Sequence, residues 1–220
     1  MLNIFVINLK ERNDRFENIK KDFIHPNINL IRFEAVRKNP GWIGLYETNK
    51  LIIKKAIDEN MDNILIMEDD CKLEFNINEF FDKFILIKEW LDKNNDKWDI
   101  YNGGINFDSI DSNFQNDIKF LNKINSGNHK NYLFIIENFL WACAQFIYIN
   151  KNSFNKIYND NELKCWDLFL NKYKTIFSYP LLTTQYSSYS NIEMKTVNYD
   201  NYFNKTKVKL KYYIIRNKIL

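Results

Sequence analysis

The chain opens on a nearly unbroken apolar run, Leu2-Asn-Ile-Phe-Val-Ile-Asn-Leu9, whose β-branched and aromatic residues predict a buried first strand. A polar segment then starts a helix. After the break at Pro26, Leu30–Ala35 predicts a second strand, and Asn39-Pro-Gly41 predicts a turn. From Gly44 to Glu59 the apolar residues Leu45, Leu51, Ile52, Ile53, Ala56 and Ile57 recur at helical spacing. Asn63–Met67 is a short apolar run that stops abruptly at Glu68-Asp69-Asp70. Strand, helix, strand, helix, strand in this order predicts an α/β fold with a mostly parallel central sheet flanked by helices.

Further along, Phe80, Phe84, Ile87 and Leu91 mark one face of an amphipathic helix, and Trp98–Tyr101 predicts a strand closed by Asn102-Gly-Gly104. The Asn/Asp/Ser-rich stretch Ile105–Lys130 is weakly patterned and reads as a long functional loop or an irregular β insert. Tyr132–Asn150 predicts one or two core strands. Ser153–Tyr158 and Leu163–Tyr173 are expected to be helical, and Thr175–Leu182 a last strand. A Tyr/Ser-rich loop follows Gln185; its stretch Tyr186–Ser190 either closes over a ligand or lies exposed on two anchoring aromatics. The division expected is one domain over 1–204 and a basic tail over 205–220.

Composition narrows the function classes. In 220 residues, 45% are hydrophobic, and 18 Phe, 13 Tyr and 5 Trp supply enough apolar bulk to exclude disorder as the main state. A net charge of +3 provides no strong field for nucleic acid, which is not expected as a partner. Cys71, Cys143 and Cys165 are odd in number and widely spaced, indicating neither a disulfide framework nor a zinc site. No apolar run approaches a membrane span, so a cytoplasmic location is expected. Only five cations are Arg, and four of them (Arg12, Arg15, Arg32, Arg37) fall in the first 37 residues. In so Lys-rich a chain, a retained Arg points to a need for its fork geometry.

Two constellations carry chemistry. Glu68-Asp69-Asp70 follows a strand directly, and three adjacent carboxylates need either solvent or a neutralising partner. In an open parallel sheet the carboxyl ends of strands face the ligand crevice, where a divalent cation bridging carboxylates to a diphosphate is one solution; a solvated acidic turn is the other. Arg12 and Arg15 follow the first strand and share a helix face, placed to grip phosphate or to form a charged first turn. No Gly-rich phosphate loop is present.

In order and spacing these residues resemble glycosyltransferase family 25, the lipooligosaccharide and procollagen galactosyltransferase type. Ile7-Asn-Leu9 with Arg12 and Arg15 is similar to the family's opening. Gly41-Trp-Ile-Gly44-Leu-Tyr-Glu-Thr48-Asn49 is similar to its Gly-x-x-Gly-Cys-x-x-Ser-His stretch, departing at Leu45, Thr48 and Asn49. Ile64-Leu-Ile-Met-Glu68-Asp-Asp70, with Glu68 nineteen residues beyond Asn49, is similar to its Leu-Ile-Leu-Glu-Asp-Asp. Weaker likenesses run through Trp98–Gly103, Phe146–Lys151, Cys165-Trp-Asp167 and Ser190-Asn-Ile192.

The resemblance implies a GT-A type nucleotide-diphospho-sugar transferase fold and metal-dependent, inverting transfer of a hexose, galactose or glucose, from a UDP-sugar to a glycan or hydroxylysine-type acceptor. It implies manganese or magnesium on Glu68 and Asp70, with Asp69 at the donor sugar or ribose. Arg12 and Arg15 would contact the donor, and Asn8, Ala35 and Asn49 the nucleoside. Asp167 would be the catalytic base, with Trp166 stacking on a sugar; alternatively Asp167 starts a helix and Trp166 fills the core. Glu137 is a second acidic candidate or simply faces solvent, and His25 and His129 are expected at the surface, with a third metal ligand the alternative for His129. The other reading is a catalytically decayed UDP-sugar-binding module. The basic tail is a candidate contact for a membrane surface or a partner protein.

Overall fold

The computed structural model describes residues 1–107, 118–126, 129–136, 140–190 and 195–219. Glu137, Asn191 and Ile192 lie outside the described residues, as do 108–117 of the weakly patterned stretch.

The first half runs β1 (Leu2–Asn8), α1 (Asn13–Asp22), β2 (Ile28–Glu34), α2 (Gly41–Asp58), β3 (Ile64–Glu68), β4 (Cys71–Leu73), α3 (Ile77–Lys93) and β5 (Ile100–Asn102). The second half runs β6 (Ile118–Ser126), β7 (His129–Ile136), β8 (Phe146–Ile149), a 3-10 turn (Lys151–Ser153), α4 (Phe154–Asn159) and α5 (Trp166–Leu170). It continues with β9 (Thr175–Tyr179), β10 (Thr183–Gln185), β11 (Ser188–Ser190), β12 (Lys195–Val197) and α6 (Tyr199–Arg216).

Eight strands form the central sheet in the order β2-β1-β3-β8-β5-β9-β7-β6. β1 pairs in parallel with β2 and β3, and β5 with β9. The β3–β8, β5–β8, β7–β9 and β6–β7 pairs are antiparallel. The sheet is therefore mixed, which corrects the mostly parallel arrangement expected from the N-terminal pattern. The reason is connectivity: helical crossovers keep β1, β2 and β3 parallel, whereas β6 and β7 follow one another too closely for a crossover.

Both sheet faces are covered. On β1, Phe5 and Ile7 enter a core with Ile52, Ile53 and Ala56 of α2 and Phe203, Leu210 and Ile214 of α6. The alternate residues Leu2, Ile4 and Val6 enter a second core with Ile19 of α1 and Phe80, Phe84, Ile87 and Leu91 of α3. This is why the strand reads as a continuous apolar run rather than an alternating one. Asn76 caps α3, its side-chain oxygen accepting the Glu79 N–H at 3.0 Å.

Three expectations about the second half change. Asn171 bonds the Trp141 backbone through both ends of its amide and leaves α5 a short helix. The strand expected over Thr175–Leu182 ends at Tyr179 as β9, where Pro180 has no N–H to continue a ladder, and β10 begins only at Thr183. The boundary expected at 204/205 falls inside α6, because Phe203, Thr206, Leu210 and Ile214 lie on one buried face of a continuous helix. Among the described residues no helix is long and apolar enough to cross a membrane. All three thiols are free.

Candidate functional site

A cleft of about 650 Å³ opens at the carboxyl ends of β1, β2 and β3. Strand register builds it: Ile7 pairs with Glu68 and Asn8 with Glu34, and the Ala35 N–H donates to the Asn8 carbonyl at 3.0 Å. Asn8, Arg12, Arg15, Ala35, Glu68, Asp69 and Asp70, far apart in sequence, therefore all line one cavity. Asn49 is not among them. It is buried on α2 and donates its amide N–H to the Leu45 carbonyl at 2.9 Å, so the expected nucleoside contact is corrected to a place inside the helix packing.

The three carboxylates differ in their surroundings. Asp69 accepts the Asn8 amide at 2.6 Å and the Arg15 guanidinium at 3.0 Å, a pair in which both side chains are largely shielded. Asp69 is thus the internal anchor of Asn8 and Arg15 while still lining the cleft. Asp70 accepts a long bond from Gln185 Nε2 at 3.3 Å and a bond from its own backbone N–H, and no described cation forms an ion pair with Glu68 or Asp70. Burial, followed by the negative charges of Asp70, Asp69 and Asp167, holds Glu68 well above the usual carboxylate range. Burial and the Asp69 charge push Asp70 up to about 6, with Arg15 and Gln185 pulling it down.

These observations test the implied metal. Asp69 is occupied, leaving two oxygen-donor side chains whose negative charges oppose each other, which fits a hard divalent cation completed by ligand phosphates. Among the described residues no group of three or more His, Cys, Asp and Glu forms a metal cage by itself. His129 lies in β7, and its side chain is outside the described residues.

Positive charge also lines the cleft, each cation beside an acid: Arg37 pairs with Glu11, and Lys38 with Glu47 at 3.6 Å. Arg12 forks onto Asp14 at 3.0 and 2.9 Å, while Arg37 and Lys38 enter the cleft wall beside Glu11 and Asn39. Arg37 and Lys38 were not singled out from sequence; the signal available was the Arg cluster in the first 37 residues. Arg32, in the same cluster, braces the loop instead: it bonds the Leu9 and Lys10 carbonyls and stacks over Phe16.

The Gly41–Asn49 motif supports the wall from behind. A Cβ on Gly44 would sit 2.1 Å from the Val36 carbonyl oxygen, so only glycine allows α2 this close to the loop. Thr48 Oγ accepts the Val36 N–H at 2.8 Å and donates to the Gly44 carbonyl at 2.6 Å. Its hydroxyl can do the positioning that a Ser would do.

Asp167 lies in the first turn of α5 and, like Asn49, is not among the residues that line the cleft. One carboxylate oxygen accepts the Leu168 N–H at 2.9 Å and the other the Cys143 N–H at 3.4 Å, and its charge reaches Glu68. Trp166 is buried against Phe169 and Tyr46, so it fills the core and does not stack on a sugar. His25 stacks on Phe81 at the surface. Tyr186 donates its hydroxyl to Asp22 at 2.8 Å, and Ser188–Ser190 continue as β11 against β12.

Fold and site together define an α/β protein with a helix-flanked, eight-stranded mixed sheet and a cleft at its strand ends lined by both cations and carboxylates. No protein-family model matches the sequence, and no curated protein matches it. Among solved structures the chain is similar to the crystal structure of A197 from STIV, at 13% identity over 84% of this chain and 86% of that chain, with a TM-score of 0.45. A likeness at that level carries no argument about activity.

Proposed function

We propose that the chain is a metal-dependent glycosyltransferase of GT-A type, moving a hexose from a UDP-sugar to a saccharide or protein hydroxyl. The observation that carries this reading is that one cleft is lined both by Arg12, Arg37 and Lys38, each beside an acid, and by Glu68 and Asp70, two carboxylates with no ion pair among the described residues. The cleft volume suits a ligand of nucleotide-sugar size. Arg12, Arg37 and Lys38 would hold the anionic diphosphate, and Arg15, fixed by Asp69, would add charge behind it. Glu68 and Asp70 would hold manganese or magnesium, which supplies Lewis-acid neutralisation of the departing diphosphate.

In the transfer the bond from the sugar anomeric carbon to the diphosphate oxygen breaks, and a bond from that carbon to the acceptor oxygen forms. Asp167 takes the proton of the attacking hydroxyl. Its charge reaches Glu68, which does line the cleft, and this proximity is what supports the role.

The test is a donor screen with UDP-glucose, UDP-galactose and their N-acetyl forms in manganese, following UDP release with and without acceptor. Asp167→Asn should keep UDP binding and lose roughly 100-fold or more in turnover. Loss of both together would make Asp167 structural, and no binding of any UDP-sugar would end the reading. The burial of Asn49, where the resembled family has His, favours a second reading, a UDP-sugar-binding module without turnover. Stabilisation by UDP-sugars with no UDP release would select it.

A further inference from the structure

We propose that the outer face of α6 docks the protein onto an anionic lipid surface. The helix has two apolar faces where packing uses one. Thr206, Leu210 and Ile214 face the core, while Val208, Tyr212 and Ile215 are 68%, 59% and 53% exposed. At about 100° per residue these three fall within roughly 60° of one another, diametrically opposite the buried face. On the same spacing Lys205, Lys209 and Arg216 flank the exposed stripe on one side and Lys211 on the other, with Lys218 just past the helix end.

Charge decides the occupant. Residues 201–220 hold six cations and no acid, so the rest of the chain holds 25 cations against 28 acids. The positive excess of the protein is gathered on this C-terminal stretch, where Lys207 pairs inward with Glu74 of the β4–α3 segment. A linear apolar stripe with cations along both flanks has no pocket for a specific side chain. It matches a planar layer of negative headgroups over hydrocarbon, where lysine stems lie along the apolar surface with their ammonium groups among phosphates and a tyrosine sits at the interface. Each cation near such a surface contributes roughly fivefold in affinity. With only three apolar residues, attachment is mainly electrostatic and therefore reversible by salt.

The experiment is co-sedimentation of the full chain with vesicles of phosphatidylcholine alone and of phosphatidylcholine with phosphatidylserine, at low and high salt. The expected result is pelleting only with phosphatidylserine, reversed by salt. Lys211→Glu with Lys218→Glu should weaken binding at least roughly twentyfold. Val208→Ser with Tyr212→Ser and Ile215→Ser should weaken it roughly tenfold while the thermal midpoint stays in place, because these side chains lie outside the core. No pelleting with phosphatidylserine, equal pelleting with neutral vesicles, or variants that bind as wild type each overturn the proposal. So does a dimer in sedimentation velocity that the apolar variant dissolves, which gives the face to a second copy. Tighter binding to a single-stranded oligonucleotide than to phosphatidylserine overturns it as well.

Discussion

Asp69 and Asp70 are chain neighbours with the same side chain and opposite electrostatic situations. Asp69 is compensated by Arg15 and Asn8; Asp70 faces Glu68 and Asp69 with a long amide bond and its own backbone N–H in return. Removing a charge at Asp70 should therefore relieve repulsion. We expect Asp70→Asn to melt a few degrees above wild type without ligand, and to lose the upward shift that manganese plus UDP gives wild type; calorimetry with and without ligand reads both. Asp69→Asn should behave in the opposite way, losing about 1–3 kcal/mol in chemical denaturation because it releases a shielded guanidinium. Adjacent acids are visible in any sequence, but their different states are not, because Arg15 lies 54 positions from Asp69. Thr48 illustrates the same point. Thr48→Val should cost about 1–3 kcal/mol, since it leaves the Val36 N–H without its acceptor, and should weaken UDP binding by loosening the cleft wall; isothermal titration measures the second effect.

Elements were legible where one periodicity served one packing surface. The 3.6-residue pattern of α3 matched its buried side because Phe80, Phe84, Ile87 and Leu91 all enter one core. Short or two-faced elements were not. α5 is only five residues long and is held by Asn171, a contact no local pattern announces. α6 was read as a basic tail because its core-facing residues are interleaved with lysines, and the spacing of Phe203, Thr206, Leu210 and Ile214 has meaning only against the sheet. The α2–loop contact gives a sharp test at this scale. Gly44→Ala forces a methyl against the Val36 carbonyl and should destabilise by about 1–3 kcal/mol, measured as a lower denaturation midpoint with an unchanged slope.

Across the whole molecule, Asp99 ties three segments that are distant in sequence. Its carboxylate accepts the Ser153 hydroxyl at 2.5 Å, the Lys174 N–H at 3.0 Å and the Lys156 ammonium at 3.1 Å. Burial alone would raise its pKa, but these bonds outweigh burial and lower it. A lowered carboxylate pKa stabilises the folded state above the unfolded value of about 4, and that contribution is lost as pH falls through the folded value. Asp99→Asn should therefore be less stable than wild type at pH 7, and the difference should shrink in denaturant titrations as pH falls through the folded value of Asp99.

By itself the sequence determined the α/β class, the strands and helices of the N-terminal third, and seven of the sixteen residues that line the cleft. Apolar runs and helical periods are local consequences of burial on two sheet faces. Only the tertiary structure decided that the sheet is mixed, that Asn49 and Trp166 are buried, that Arg37 and Lys38 reach the cleft and that the C-terminal lysines belong to a packed helix. These depend on which strand pairs with which and on contacts between residues scores of positions apart, and the order of residues along a chain does not record such distances.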